Sequence, residues 1–337
     1  MTTRNRQWLL KSRPEGPAVE REHFELREAA IPTIGDGEFL IRNRWFSCDP
    51  SQRAWMDTDT YVKKVALGEP MRAFTGGEVV ESRHPGYKPG DKVTGTFAWQ
   101  DYSLSDGRDA LGTVTKLPDS IDLPAALSLF GITGLTAYFG MFDIGRPRAG
   151  DTVVVSGAAG ATGVIAAQIA KARGLRTLGI AGGEGKCRWL REELGLDDAI
   201  DYKAGDVRDA LRERCPAGIN VYFDNIGGDI LDAGLANLAD GARVVMCGAI
   251  AGYGNFDDMP PIRQYHQLIL KRASMQGFLV FDYLARSDEA VAEMSPWLAA
   301  GRIKNPVDIA EGFDAAPDAL KRLFAGQNRG KQLVRLD

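Results

Sequence analysis

Residues 152–163 read Thr-Val-Val-Val-Ser-Gly-Ala-Ala-Gly-Ala-Thr-Gly. A short, unbroken apolar run leads straight into a glycine-rich turn, and a helix-like stretch, 164–173 (VIAAQIAKAR), follows. A strand with no polar alternation is buried on both faces, as in a parallel sheet covered by helices. The turn has what a dinucleotide pyrophosphate needs: backbone N–H groups at a helix N-terminus and no side chain in the way. Gly160 lets the backbone approach the phosphate, and Gly163 lets the helix pack closely on the strand. Ala158 stands where the pattern of spaced glycines has its first glycine. The plainer reading of the same residues is a tight turn with no ligand.

The alternation continues downstream. Residues 176–181 (RTLGIA) read as a second strand and 186–194 as a second helix, and 198–202, 221–224 and 243–247 (RVVMC) extend the series. This is the pattern of an α/β fold with a doubly wound parallel sheet of Rossmann type. Upstream, 123–141 reads as helical, with Gly131 and Gly134 interrupting it. The first third is different. Strand-like stretches at 39–46 (FLIRNRWF), 76–82 (GGEVVES) and 91–97 (DKVTGTF) are separated by turn signals at Pro85-Gly86, Pro89-Gly90-Asp91 and Ser105-Asp106-Gly107. That spacing fits a mostly antiparallel, barrel-like domain. The tail returns to strand (307–311), helix (317–324) and strand (332–336), and is expected to rejoin the first domain. The expected division is therefore 1–122 with 307–337 as the β-rich domain, and 123–306 as the dinucleotide domain.

The end of the second strand selects the cofactor. An NAD enzyme usually places an acid there, about 20 residues past the glycines, to hold the ribose 2′-hydroxyl. Here the tip reads Ala181-Gly182-Gly183-Glu184-Gly185-Lys186. It is small and neutral, and a lysine follows. A 2′-phosphate fits, with Lys186 as its counter-charge, so the cofactor expected is NADPH/NADP+. Glu184 is the dissenting residue, but the glycines around it leave it free to point to solvent. The competing reading of Lys186 is an exposed lysine at a helix start.

Composition agrees with an enzyme of ordinary type: 337 residues, 44% hydrophobic, 26% charged and 9% aromatic. A net charge of −4 speaks against a nucleic-acid partner. No run of 18 apolar residues suggests a membrane span, and residues 1–13 lack the apolar core of a signal peptide. Cys48, Cys187, Cys215 and Cys247 are scattered and form no CxxC pair, which reads as reduced thiols in a cytoplasmic protein.

At this point the chain resembles the medium-chain dehydrogenase/reductase superfamily, in its zinc-independent branch of prostaglandin reductases, leukotriene dehydrogenases, alkenal double-bond reductases and curcumin-reductase-like enzymes. The resemblance covers essentially the whole chain. It is carried by Gly134-Leu-Thr-Ala-Tyr-Phe-Gly140, Ala158-Ala-Gly-Ala-Thr-Gly163, Tyr222-Phe-Asp-Asn-Ile-Gly-Gly228, Cys247-Gly-Ala-Ile-Ala-Gly-Tyr253, Met275-Gln-Gly-Phe278 and Asn328-Arg-Gly-Lys331. It implies a Rossmann domain and a GroES-like barrel domain with the cofactor in the cleft. It also implies NADPH-dependent reduction of a carbon–carbon double bond conjugated to a ketone or aldehyde. Carried over by position, the resemblance implies that Gly160, Ala161, Thr162 and Gly163 hold the pyrophosphate. Lys186 and Tyr202 would contact the 2′-phosphate end, and Asn225 would sit by the cofactor. Cys247, Gly248, Ala249, Ile250 and Tyr253, with Phe278, Leu279 and Val280, would line the nicotinamide side, and Asn328 would reach it from the tail.

There are departures. Asp49-Pro50-Ser51-Gln52-Arg53 lacks the tyrosine that many members carry in this motif, and Leu270 stands where some plant members have another. Gly76-Gly77-Glu78 stands about where zinc relatives carry Gly-His-Glu, and His23, His84 and His266 with scattered cysteines offer no clustered ligand set, so no metal is expected. No Gly-x-Ser-x-Gly nucleophile elbow is present.

For the chemistry, hydride passes to the β-carbon of an enone, and a donor aimed at the carbonyl oxygen stabilises the enolate. Tyr253 is the first choice for that donor, because it ends the loop that approaches the nicotinamide. The alternatives are that Tyr253 only packs the cofactor and that the ribose hydroxyl or water gives the proton. Arg53, Trp55 and Tyr61 are candidates for the substrate wall, or else surface loop residues. Two rival functions remain: a zinc-free NADPH quinone oxidoreductase, and a non-catalytic NADPH-binding protein. The apolar stretch 274–281 (SMQGFLVF) is expected to be a strand edge able to pair two copies into a homodimer.

Overall fold

A computed structural model of the chain describes residues 4–254 and 256–336. It divides into two compact units, Met1–Leu127 with Val307–Asp337, and Ser128–Pro306. The division falls after Leu127 rather than after residue 122. The short helix Leu123–Ala126 stays with the first unit, where Leu123 and Leu127 lie against Gly76 on a neighbouring strand.

The second unit is built on a six-stranded parallel sheet. Its order is Asp198–Asp201, Arg176–Ala181, Thr152–Ser156, Ile219–Asp224, Leu238–Met246 and Ser274–Gly277. The apolar run that opened the sequence reading lies at its centre. Val153 and Val155 enter one core cluster, and Val154 enters another. Alternate side chains of a strand point to opposite faces, so three consecutive valines are needed to seal both layers. Each such burial contributes roughly 1.5–3 kcal/mol. The order reverses direction between Thr152–Ser156 and Ile219–Asp224, the switch point beside which open α/β sheets bind ligands.

Two expected elements differ. Residues 123–141 do not form one helix. The helix Ile132–Phe139 starts anew after a turn, in which Gly134 N–H donates to the Ser128 carbonyl. A Cβ on Gly134 would sit 1.8 Å from the Leu129 carbonyl oxygen, so the chain turns there only because 134 is glycine. The apolar stretch 274–281 is a strand only over Ser274–Gly277. Phe278 then turns inward over Gly140, and Val280 begins a 3-10 helix, Val280–Arg286.

The first unit carries a seven-stranded, mainly antiparallel sheet. Along its path run Val307–Glu311, Lys331–Arg335, Phe39–Ser47, Thr75–Ser82, Lys92–Gly95 and Thr115–Lys116, and Tyr102–Ser105 also pairs with Phe39–Ser47. The C-terminal strand Lys331–Arg335 lies antiparallel to Phe39–Ser47, which brings Lys331 to Asp49. Trp8, Phe46, Trp55, Trp99 and Phe313 fill the core beneath. Among the described residues, no helix is long and apolar enough to cross a membrane. All four cysteines are free thiols.

Candidate functional site

In the second unit the turn after Thr152–Ser156 is shaped by contacts that forbid side chains. Gly157 has φ +60°, a left-handed conformation that favours glycine. A Cβ on Gly163 would lie 2.3 Å from the Gly157 carbonyl oxygen, so the helix Ala161–Ala172 approaches its strand at glycine distance. A Cβ on Gly160 would meet nothing nearer than that same oxygen at 3.2 Å. The departure at Ala158 has a physical account. Its methyl is buried against the neighbouring strand, where a Cβ on Gly179 would stand 2.8 Å from it. The missing glycine has moved across the sheet. The first-turn N–H groups of a helix lack intrahelical partners and carry partial positive charge, so this end suits an anion.

At the next strand end, Gly183 has φ +92°, and its N–H donates to Asp201 at 2.8 Å. That bond, with another from the Lys203 N–H, holds the Asp201 carboxyl below its ordinary range. Tyr202 lies against Gly182, where a Cβ would stand 2.8 Å from its hydroxyl. Glu184, the dissenting acid, accepts from Arg191 at 2.8 Å. It is exposed, as expected, and paired along its own helix. Lys186 follows in the first turn of the same helix.

Ser156 and Asp224 meet where the sheet order reverses. The Ser156 hydroxyl donates to Asp224 at 2.7 Å, and the Gly227 N–H donates to the other carboxylate oxygen at 2.8 Å. Burial pushes the Asp224 carboxyl up to about 6, opposed by the Ser156 hydroxyl and the N–H groups of Gly227 and Ile226. Asn225 donates from its side chain to the Ser156 carbonyl at 2.7 Å and from its backbone to the Ser156 hydroxyl at 2.9 Å. Its amide nitrogen therefore braces the loop. Cys247 and Gly248 donate backbone N–H groups to the Asp224 carbonyl at 2.9 and 3.1 Å, and the Ala251 N–H donates to the Ile226 carbonyl at 3.0 Å. The expected segments 156–163, 225–228 and 247–253 are thus joined into one hydrogen-bonded cluster. Within it Ala249 precedes the 3-10 turn Ile250–Gly252, and Tyr253 closes that turn. Burial raises the Tyr253 hydroxyl above its ordinary value, with the Ala249 backbone opposing and Cys247 adding. The group stays protonated at neutral pH, as a donor must.

Several sequence assignments need correction. Arg53 and Trp55 are fully buried in the first unit and do not form a wall. Arg53 pairs with Asp57 and donates to the Pro14 and Gly16 carbonyls, and Trp55 belongs to the core. Of the three candidates only Tyr61 is accessible, 45% exposed, with its ring edge-on to Trp55. Val280 is buried in the core, Phe278 packs against it partly buried, and Leu279 is the exposed member of that trio. Asn328 is buried and donates to the Gly330 carbonyl at 2.8 Å, so its amide stiffens the tail turn.

Ser156, Asp224, Asp49 and Lys331 have structural roles that the sequence alone does not assign. The Lys331 side chain is buried and paired with Asp49, which also accepts from the Ser47 hydroxyl. An acid closing a continuous apolar strand, as Asp224 does, is a legible signal, because a buried carboxylate must find donors. Among the described residues, no group of three or more His, Cys, Asp or Glu gathers to hold a metal ion.

Comparison with known proteins matches residues 6–112 to the family described as the N-terminal domain of oxidoreductase, and 161–300 to the family described as zinc-binding dehydrogenase. The chain is similar to the NADPH-dependent curcumin reductase of Escherichia coli, at 39% identity over 99% of this chain and 97% of that one. It is 35% identical to the NADP(+)-dependent 2-alkenal reductase of Nicotiana tabacum, over 98% and 97% of the two chains. The crystal structure of CurA from Vibrio vulnificus in complex with NADPH superposes with a TM-score of 0.91 at 39% identity, covering 98% and 99%. The chain belongs to the medium-chain dehydrogenase/reductase superfamily, in the branch of curcumin, alkenal and prostaglandin reductases.

Proposed function

We propose that this chain uses NADPH to reduce the carbon–carbon double bond of α,β-unsaturated ketones and aldehydes. The observation that carries the reading is the glycine-shaped turn 157–163, held at a helix N-terminus, in a chain whose full-length relatives are named as NADPH-dependent reductases. The 2′-phosphate end is assigned to Lys186 and Tyr202, with Glu184 paired to Arg191 on the same helix. Bound NADPH supplies a hydride for the substrate β-carbon. The protein's part is to hold the dinucleotide through Gly160, Ala161, Thr162 and Gly163, and to place Tyr253 as hydrogen-bond donor to the carbonyl oxygen as charge builds there. Tyr61 supplies an accessible aromatic face for the substrate.

The reaction is proposed to proceed without zinc. A side chain at Gly77, where zinc relatives carry histidine, would put its Cβ 2.5 Å from the Arg42 carbonyl oxygen. A ligand at that position requires the strand pair to move. We also assign a cytoplasmic homodimer. The edge strand Ser274–Gly277 has one side unpaired in the sheet, and exposed Ile269 and Leu270 precede it in the chain. Light scattering that gives a clean monomer removes the dimer.

The test is turnover of an alkenal, a long-chain enone and a benzoquinone, each with NADPH and NADH. Enone reduction with NADPH preferred is expected, and turnover of the quinone alone contradicts the assignment. In the same assay Tyr253→Phe is expected to lower kcat by about 100-fold or more, the scale of one lost transition-state donor. Full turnover by that variant removes Tyr253 from the chemistry.

A further inference from the structure

We infer that Asp224 is a positioning residue that holds the three loops of the dinucleotide site in register at the switch point of the sheet. Ser156 and Asp224 are the last residues of the two adjacent strands between which the order reverses. Both are fully buried. The Asp224 side chain takes the Ser156 hydroxyl from the phosphate turn on one oxygen and the Gly227 N–H from the 225–228 loop on the other, and the Ile226 N–H of that loop also donates to it. Its backbone carbonyl takes two more from Cys247 and Gly248, at the start of the loop that ends in Tyr253. The Ser156 hydroxyl passes the link on by accepting from the Asn225 N–H. One residue therefore reaches the turn that faces the pyrophosphate, the loop beside it and the loop that carries Tyr253.

The arrangement is specific to a carboxylate. Three N–H or O–H donors converge on its two oxygens, whereas an amide presents an NH2 group to one side. No lysine or arginine pairs with Asp224 among the described residues. A buried carboxylate with hydrogen bonds but no counter-ion is costly to keep. A residue needed only to fill the core is better served by an apolar side chain of similar size. The cost is explained if the loops must be fixed before the cofactor arrives, because ordering on binding weakens affinity.

The inference rests on the reading that these loops hold NADPH, and the experiment separates the two. NADPH affinity is measured by nicotinamide fluorescence on the full chain, together with KM, kcat and thermal unfolding. Asp224→Asn is expected to weaken NADPH binding by about tenfold, the scale of one buried hydrogen bond left unmade. KM for NADPH rises correspondingly, and kcat at saturating NADPH falls by a smaller factor. Ser156→Ala removes one donor with little change in volume and is expected to move affinity in the same direction, so it carries the test if Asp224→Asn does not fold. Wild-type affinity in the folded variants, with only a lower melting temperature, overturns the inference and leaves Asp224 a stability residue. Gly160→Asp places a negative charge at the turn, where the phosphates are assigned. If it binds NADPH as the wild type does, the reading of the site itself falls, whatever Asp224 does.

Discussion

Lys331→Met is expected to lower the free energy of unfolding by about 3–5 kcal/mol, the usual effect of removing one partner from a buried ion pair. The Lys331 side chain is 3% exposed and its ammonium pairs with Asp49. That carboxylate is held in place from several sides. The Ser47 hydroxyl donates to it, and its own backbone N–H donates to Gln52 at 2.9 Å. Gln52 in turn donates to the Arg72 carbonyl at 2.9 Å. Methionine preserves most of the stem volume, so packing is little changed. What is lost is the counter-charge, and a carboxylate with 14% exposure cannot recover it from water without local opening. The double variant Lys331→Met with Asp49→Leu is expected to regain part of the loss, because an apolar pair of similar volume avoids the stranded charge. Denaturant unfolding of the three variants measures this directly. A single variant within about 1 kcal/mol of wild type, the scale of an exposed pair, contradicts it.

Gly163→Ala is the second large effect, and here one methyl group is the whole perturbation. The new Cβ would stand 2.3 Å from the Gly157 carbonyl oxygen, 2.8 Å from its carbon and 2.9 Å from Ala158 Cα. All three are backbone atoms, so no side chain can swing aside. Either the helix Ala161–Ala172 lifts from its strand or the turn deforms, and both move the N–H groups that face the phosphates. A loss of about 1–3 kcal/mol in stability is expected from the overpacking, with NADPH binding weakened by at least about tenfold, equivalent to 1.4 kcal/mol. Gly160→Ala is the control. Its Cβ meets one oxygen at 3.2 Å, so its structural cost is smaller. Equal stability losses for the two variants contradict the account of why the turn needs glycine at 163.

These two residues also mark what a sequence makes legible. Gly163 was readable because its neighbours along the chain, an apolar strand and a helix, define its context locally. The same holds for the three valines of Thr152–Ser156, whose lack of alternation signals burial on both faces. The role of Lys331 is not legible in its motif, because its partner lies 282 positions away and only the antiparallel pairing of the C-terminal strand brings them together. Arg53 and Trp55 misled for a related reason. The helix Ser51–Asp57 is buried at five consecutive positions, so no polar face distinguishes wall from core. Arg53 is satisfied there by carbonyls of residues 14 and 16, which composition does not reveal. In the stretch 274–281 apolarity suggests one long strand, whereas Phe278 packs against the core and Leu279 is exposed. Apolar residues at a strand end do not say where pairing stops.

The most direct measurement of the central claim is the position of the transferred hydride. An enone is reduced with NADPH carrying deuterium at the transferable C4 position, and the product is read by NMR. The account predicts a saturated ketone with deuterium on the former β-carbon and the carbonyl intact. Deuterium on the carbinol carbon of an allylic alcohol, or label absent from every product carbon, contradicts it.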